Sequence, residues 1–366
     1  MTGRRYDVAI AGAGIAGASL AAELAPHVSV LLLEAEDHPG RHATGRSAAF
    51  WSESYGGPFV QPLTSASGPF LTAPPPDFAE RSFLSPRGAL HIAREAADLR
   101  ALEAEFAGTG VALNRVRPSI HGLRPGWDHG LAEPSCADID VAALHAAYLR
   151  QARRNGAELV TGARIEAAER GQSGWRLSTP AGDFQAGILV NAAGAWADSL
   201  AQIAGQRPLG IRPFRRTMVQ LRIDPPAPAD LPLVIDALGR FYFKPEAGGR
   251  LWLSPHDETP CTPCDAAPEE LDIALAIDRL EQVVDWRVER VERSWAGLRT
   301  FAPDRLPVYG YAPGSHDFFW FAGQGGFGIQ TAPAAAKLGA ALLLGRVPED
   351  MAAGIDPAPY APARFN

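Results

Sequence analysis

Apolar and polar positions follow one another along this chain in two different rhythms. Two short apolar runs, at 8–10 and 28–33, bracket a stretch of small residues with helical spacing. A third run, 187–191, enters the small-residue turn Ala192-Ala193-Gly194-Ala195-Trp196, as a strand of a buried parallel sheet does. An aromatic run at 318–323 leads into Gln324-Gly325-Gly326-Phe327-Gly328-Ile329-Gln330, where another helix is expected to begin and to continue through 334–344. A helix is also expected over 141–155, with Leu144, Tyr148 and Leu149 as its apolar positions, Asp140 as N-cap and Gly156 at its end; a strand is expected over 157–165. Between 209 and 295 the rhythm changes to period two, as in Met218-Val219-Gln220-Leu221-Arg222-Ile223, Arg240-Phe241-Tyr242-Phe243 and Arg250-Leu251-Trp252-Leu253. That alternation predicts antiparallel strands with one covered face, followed by a helix over 269–280. Residues 56–87 are rich in proline and only weakly periodic, and no regular element is read there.

The first apolar run ends in Gly12-Ala13-Gly14-Ile15-Ala16-Gly17, and the second ends on Glu34. Glycines between a strand and a helix let a pyrophosphate approach the backbone at a helix N-terminus, and an acid at the end of the next strand suits a ribose hydroxyl. A dinucleotide site is therefore expected at this point. The fold class that follows is α/β: a Rossmann-like nucleotide-binding domain, interleaved with a second, α+β domain built on an antiparallel sheet. The expected boundaries are 1–60, 137–208 and 296–366 for the first domain, and 61–136 and 209–295 for the second.

Composition narrows the class further. A chain of 366 residues exceeds one ordinary core, and 46% apolar residues suit a globular protein. No stretch approaches the ~20 uninterrupted apolar residues that span a bilayer. The start, Met-Thr-Gly-Arg-Arg, runs directly into the first strand, so a cytoplasmic location is expected, with peripheral membrane association left open. A net charge of -7 argues against nucleic acid as the main partner. Cys261 and Cys264 form a lone CxxC in a Thr/Pro loop, with no second pair to complete a metal site.

The ordered set GAGIAGAS, TGRSAA, ADID, NAAGAW, FYFKP, WAGLRTF and GQGGFGIQT, spread over essentially the whole chain, resembles the D-amino-acid oxidase/glycine oxidase superfamily of FAD-dependent amine oxidoreductases. Within it, the bacterial D-arginine dehydrogenase group is the most similar. The resemblance implies FAD on Gly12, Gly14, Ala16 and Gly17, with Glu34 and Ala35 at the adenosine ribose and Ile165 offering backbone to the adenine. It implies that Ala43, Thr44, Gly45, Arg46, Ser47 and Ala48 wrap the flavin and that Gly194 lies beside the cofactor. Gln324, Gly325, Gly326, Phe327, Gly328, Ile329 and Gln330 would then present backbone N–H groups to the flavin ring. The family's covalent variants carry a cysteine near the WAGLR strand. Here the chain reads Arg299-Thr300-Phe301-Ala302, so non-covalent FAD is expected.

On the substrate side the resemblance implies Arg299 and Arg216 as carboxylate holders, with Tyr242 and a lid-loop tyrosine, Tyr55. A planar guanidinium suits that task. Arg215 is the neighbouring alternative, on the opposite face of its strand. Phe50 stands where the D-arginine enzyme has a histidine, and Ala89 where it has an acid, so a neutral or apolar side chain is expected, with Phe50 and Trp51 as apolar wall. Glu53 is the residue that would restore a charge. No general base is identified, since His42 falls in the flavin loop and His145 reads as structural. The implied reaction is oxidation of a free amino acid, of D configuration in the family's pattern, to an imino acid and then to a 2-oxo acid and ammonia. Electrons would pass to a quinone, an artificial acceptor or O2. A glycine/sarcosine-type amine oxidase, a non-catalytic flavin-binding assembly protein and an NAD-dependent dehydrogenase are the alternatives.

Overall fold

The computed structural model describes residues 5–365; residues 1–4 and 366, including most of the start that is read as running into the first strand, lie outside the described residues. Strand Arg5–Ala11 sits inside an eight-stranded sheet, parallel to Val30–Leu33 on one side and to Gly182–Asn191 on the other. Glu158–Val160 and Phe318–Ala322 extend the parallel part, and an antiparallel meander, Ala167–Gly171 and Gly174–Thr179, closes one end. Neighbouring residues of a strand face opposite sides. Ile10, Leu32 and Phe319 therefore pack under the helices Ile15–Leu24, Val141–Arg154 and Ala332–Leu343, while Ala9, Leu31 and Trp320 fill the other side. Burial on both faces is why these strands read as unbroken apolar runs.

The second sheet has nine strands. Its spine is the antiparallel pair Arg212–Asp224 and Arg287–Phe301, paired from Arg212↔Phe301 to Asp224↔Arg287 with the register shifting between Gln220 and Leu221 and between Arg222 and Ile223. Val219, Leu221 and Ile223 pack on helix Glu270–Glu281 through Ala276 and Leu280. The alternate positions, Arg216 and Met218, face the first sheet's domain. One pairing is parallel, Leu233–Asp236 with Ala89–Ala93, so this sheet is mixed rather than wholly antiparallel.

Three expected elements differ. The 56–87 stretch contains a helix, Gln61–Thr72, with Pro62 in its first turn, where proline is tolerated, and Pro69 within it. Its Leu63 and Leu71 are buried in the core under the first sheet, and that tertiary burial overrides weak local propensity. The strand expected over 157–165 is only Glu158–Val160, because Gly162 turns the chain at φ +61. The last helix starts at Ala332; residues 324–330 form turns instead, with Gly325 at φ +55. The long strand Arg287–Phe301 runs through the expected boundary at 296, which places Arg299 at the seam of the two sheets. Among the described residues no helix is long and apolar enough to cross a membrane.

Candidate active site

The turn after the first strand is shaped by what glycine permits. Gly12 has φ +100, and a Cβ there would lie 2.5 Å from the Ala192 carbonyl oxygen. A Cβ on Gly17 would lie 1.8 Å from the Gly12 oxygen, so Gly17 brings the helix onto the turn. Two side chains then hold the turn. Ala13 N donates to Glu34 Oε2 at 2.9 Å, and Ile15 N to Thr44 Oγ1 at 3.0 Å. The backbone of Glu36 donates to Glu34 Oε1 at 3.1 Å. His145, on helix Val141–Arg154, binds the Ala13 carbonyl through Nε2 at 2.8 Å and is structural.

Around this turn lies a cavity of about 330 Å³. Its walls include Gly12, Gly14, Ala16, Glu34, Ala35, Ile165 and Gly194. Ala43, Thr44, Ser47, Arg299, Gln324, Gly325, Gly326, Gly328 and Ile329 also line it. These residues fit a dinucleotide on the structure's own terms. The start of helix Ile15–Leu24 faces the cavity, where first-turn N–H groups and the helix dipole favour phosphate. Gly12, Gly14, Gly194, Gly325, Gly326 and Gly328 line the cavity with backbone alone. His42 Nδ1 is a buried polar atom without a partner among the described residues, while its Nε2 meets Glu36 Oε1 at 3.0 Å.

A chamber of about 20 Å³ adjoins the cavity and is continuous with it through the shared residues Ser47, Arg299, Gly326 and Ile329. Phe50, Tyr55, Arg216, Tyr242 and Arg299 all line it, together with Ala48 and Gln330. The two arginines meet there because Arg216 opposes Gly297 in the register, making Arg299 its diagonal neighbour on the same face. Phe50 packs against Tyr55 and Tyr242 at ring separations of 5.4 and 5.7 Å. Arg215 points the other way, to Glu269 and, at 2.9 Å, to Asp272.

The arginines differ in their partners. Arg216, 2% exposed, donates from Nε to the Asp257 carbonyl at 2.8 Å and from Nη2 to Glu258 Oε1 at 3.0 Å. Burial works against its charge, but the Tyr55 and Tyr242 phenols and Glu258 outweigh burial and raise its pKa. Arg299, 8% exposed, donates only to the Leu298 carbonyl, at 3.3 Å, and among the described residues no carboxylate lies within ion-pairing distance. Burial and the charge of Arg216 push its pKa below the ordinary arginine value. A buried cation without an anion is costly, and this one opens onto both cavities.

Several expected residues support the site without lining it. Arg46 turns away to Asp265 and to the carbonyls of Ala266 and Ala296, the latter at 3.0 Å. A Cβ on Gly45 would lie 2.6 Å from the Gly40 oxygen, so Gly45 serves a tight approach within the loop. Phe327 packs its ring on Val60 and Phe301. Trp51 is not apolar wall: it follows Phe50 in a strand, points to the opposite side and donates from Nε1 to the Thr64 carbonyl at 2.9 Å. Glu53 binds Ser65 and does not line the chamber. Ala89 sits behind the wall, packed with Met218 and Tyr242.

Sequence reading missed what holds Tyr55. Glu133, fully buried, accepts from Glu53 N at 2.7 Å, Ser52 Oγ at 2.9 Å and Ser54 Oγ at 2.5 Å. From the other side Gln330 takes Ser52 N at 3.1 Å and donates to the Tyr55 carbonyl at 3.1 Å. The Ser52–Tyr55 turn is thus tied down from two directions rather than hanging as a free lid. Nothing local marks Glu133, which lies some eighty residues from the turn it holds. Replacing Glu133 by alanine strands several buried donors at about 1–3 kcal/mol each. A lower melting temperature and a raised KM for the amine substrate are expected, read by thermal melts and steady-state kinetics; wild-type values in both would remove Glu133 from this role.

A dinucleotide cavity opening into an arginine-lined chamber defines a flavoprotein oxidoreductase site. The chain belongs to the DAO family, described as FAD dependent oxidoreductases, which matches residues 7–342. It is 24% identical to hydrogen cyanide synthase subunit HcnC of Pseudomonas aeruginosa, over 99% of this chain and 97% of that protein. It is 27% identical to a glycine oxidase of Pseudomonas putida, over 97% and 98%. Its fold matches the crystal structure of glycine oxidase from Geobacillus kaustophilus with a TM-score of 0.84, 26% identity and 98% of each chain covered. The protein is an FAD-dependent oxidoreductase of amino-acid or amine donors.

Proposed function

We propose that this chain oxidises a free α-amino acid with a small, neutral side chain to the imino acid, which water hydrolyses to the 2-oxo acid and ammonia. The observation that carries this reading is Arg299, a buried guanidinium that faces the chamber with no carboxylate partner among the described residues. A substrate carboxylate is the anion it lacks. Tyr242 adds a phenolic donor, while Phe50 and Ile329 exclude water from the wall. FAD, when bound, supplies the two-electron chemistry by accepting a hydride from the substrate's Cα. The chain's residues contribute orientation and charge balance.

The D configuration is part of the proposal and is supported by the sequence resemblance. A second reading, a glycine- or sarcosine-type substrate, is favoured by the small size of the chamber and by the glycine oxidases among the relatives. An anaerobic bleaching screen across D-, L- and N-methyl amino acids separates them, and readmitting air separates an oxidase from a dehydrogenase. Faster bleaching by D-Arg or D-Lys than by D-Ala or glycine would overturn the neutral-side-chain reading. A flavin that no amine bleaches would point to the non-catalytic assembly protein instead.

Two further outcomes follow from this reading. Burial, reinforced by the charge of Arg216, holds His256 at about 3, and burial raises the Tyr242 phenol above its ordinary value. Neither titrates between about pH 6 and about pH 9, and the proposed reaction makes the substrate's amino group, which must be neutral to lose hydride, the group that sets the pH dependence. Anaerobic flavin reduction is expected to rise with pH to a plateau; a flat rate and flat apparent affinity from about pH 6 to about pH 10 would sink this account. With no cysteine in Arg299-Thr300-Phe301-Ala302, acid precipitation is expected to release the flavin into the supernatant, and a yellow pellet would contradict that.

A further inference from the structure

Both chamber arginines lie on one face of one sheet, yet among the described residues only one of them has an anionic partner within ion-pairing distance. Glu258 reaches Arg216 from outside the chamber, its side chain 33% exposed, and shares its carboxylate with Arg305 at 2.8 Å. The neighbouring Asp257 is already engaged, accepting from Thr217 N at 2.7 Å and Thr217 Oγ1 at 2.9 Å. Among the described residues Glu258 is therefore the carboxylate that ion-pairs with Arg216.

We propose that Glu258 sets the number of carboxylates the chamber accepts. By neutralising Arg216 it restricts the substrate to amino acids with a single carboxylate, the one taken by Arg299. This rests on the reading of Arg299 as the carboxylate site. A guanidinium pairs with one carboxylate at a time in its best, two-bonded geometry. A ligand with a second carboxylate must either compete with Glu258 for Arg216 or bury that charge unpaired, and both disfavour it. Without Glu258 the chamber would hold two unpaired cations about one diagonal sheet step, ~7–8 Å at the backbone, apart, which suits a dicarboxylate.

The loop does not depend on Glu258 for its shape. His256, at φ +53, donates its backbone N–H to Ser254 Oγ at 3.1 Å, and its ring Nδ1 binds the Gly239 carbonyl at 2.6 Å. Asp257 fastens the next residue to Thr217. Glu258→Gln is therefore expected to fold and to hold FAD.

The test uses glycolate and malonate as unreactive probes, titrated into the FAD-loaded protein and read from the visible flavin spectrum. In the wild type, glycolate is expected to bind at least about tenfold more tightly than malonate. In Glu258→Gln the malonate Kd is expected to fall by at least about tenfold, with glycolate changed by less than about threefold. Arg305→Gln leaves Glu258 wholly to Arg216, so its malonate-to-glycolate ratio is expected to stay at or below the wild-type value. An unchanged ratio in Glu258→Gln with glycolate binding intact overturns this proposal alone, as does an equal gain for malonate in Arg305→Gln. A wild type that binds neither acid overturns the carboxylate site and this proposal together.

Discussion

Replacing Arg299 by methionine is expected to lower kcat/KM for flavin reduction about 10³-fold while leaving the melting temperature unchanged or higher. The two effects have one cause. Truncating one partner of a desolvated, hydrogen-bonded charge pair costs about 2–5 kcal/mol, roughly 30- to 4,000-fold at about 1.4 kcal/mol per decade. That partner is present only when substrate is bound. In the free protein the same guanidinium is buried without a carboxylate beside it, so an apolar side chain of similar volume relieves a desolvation penalty. Arg216→Met should behave differently, because it takes the donor from the Asp257 carbonyl and removes one of the two cations that hold Glu258, and so costs stability as well as activity. Parallel melts and anaerobic kinetics check the pair. A destabilised Arg299→Met with normal kcat/KM would make Arg299 a structural residue and remove the carboxylate site.

Gly12→Ala is expected to give a protein that purifies colourless or not at all. A left-handed backbone at φ +100 strains any residue with a Cβ by about 1–3 kcal/mol. The added carbon would also lie 2.5 Å from the backbone oxygen of Ala192, in the segment that follows the neighbouring parallel strand. Backbone cannot swing aside as a long side chain does, so the turn and the Ala192–Gly194 segment must separate. That opens the cavity where the pyrophosphate lies by the family's pattern. The ratio of visible to ultraviolet absorbance after purification reads cofactor content, and wild-type flavin occupancy would show that this turn does not hold the cofactor.

Much of the fold could be read locally because the signals are local. A strand buried on both sides is an apolar run, and Arg5–Ala11, Val30–Leu33 and Phe318–Ala322 are such runs. The half-covered sheet alternates, which also places Arg215 and Arg216 on opposite faces. Helix Gln61–Thr72 escaped because two prolines and a run of serines and threonines hide a core face that only the packing of Leu63 and Leu71 reveals. The turn at 324–330 looked like a helix start, but its glycines adopt turns first, and the helix begins at Ala332. Arg46 reads as part of the flavin loop because that loop does line the cavity; its own side chain leaves for Asp265, a partner more than two hundred residues away.

By itself the sequence determined the architecture's two halves, the dinucleotide turn and a short roster of arginines and tyrosines, because periodicity and glycine spacing act over a few residues. Only the tertiary structure decided how those candidates divide their work. Arg216 and Arg299 are equal on the page, both basic and both on strands. Their difference is a carboxylate that the chain supplies to one, from a loop forty-two residues on, and withholds from the other. Pairing and burial of charge are long-range outcomes of folding, and here they leave one cation free to meet a substrate.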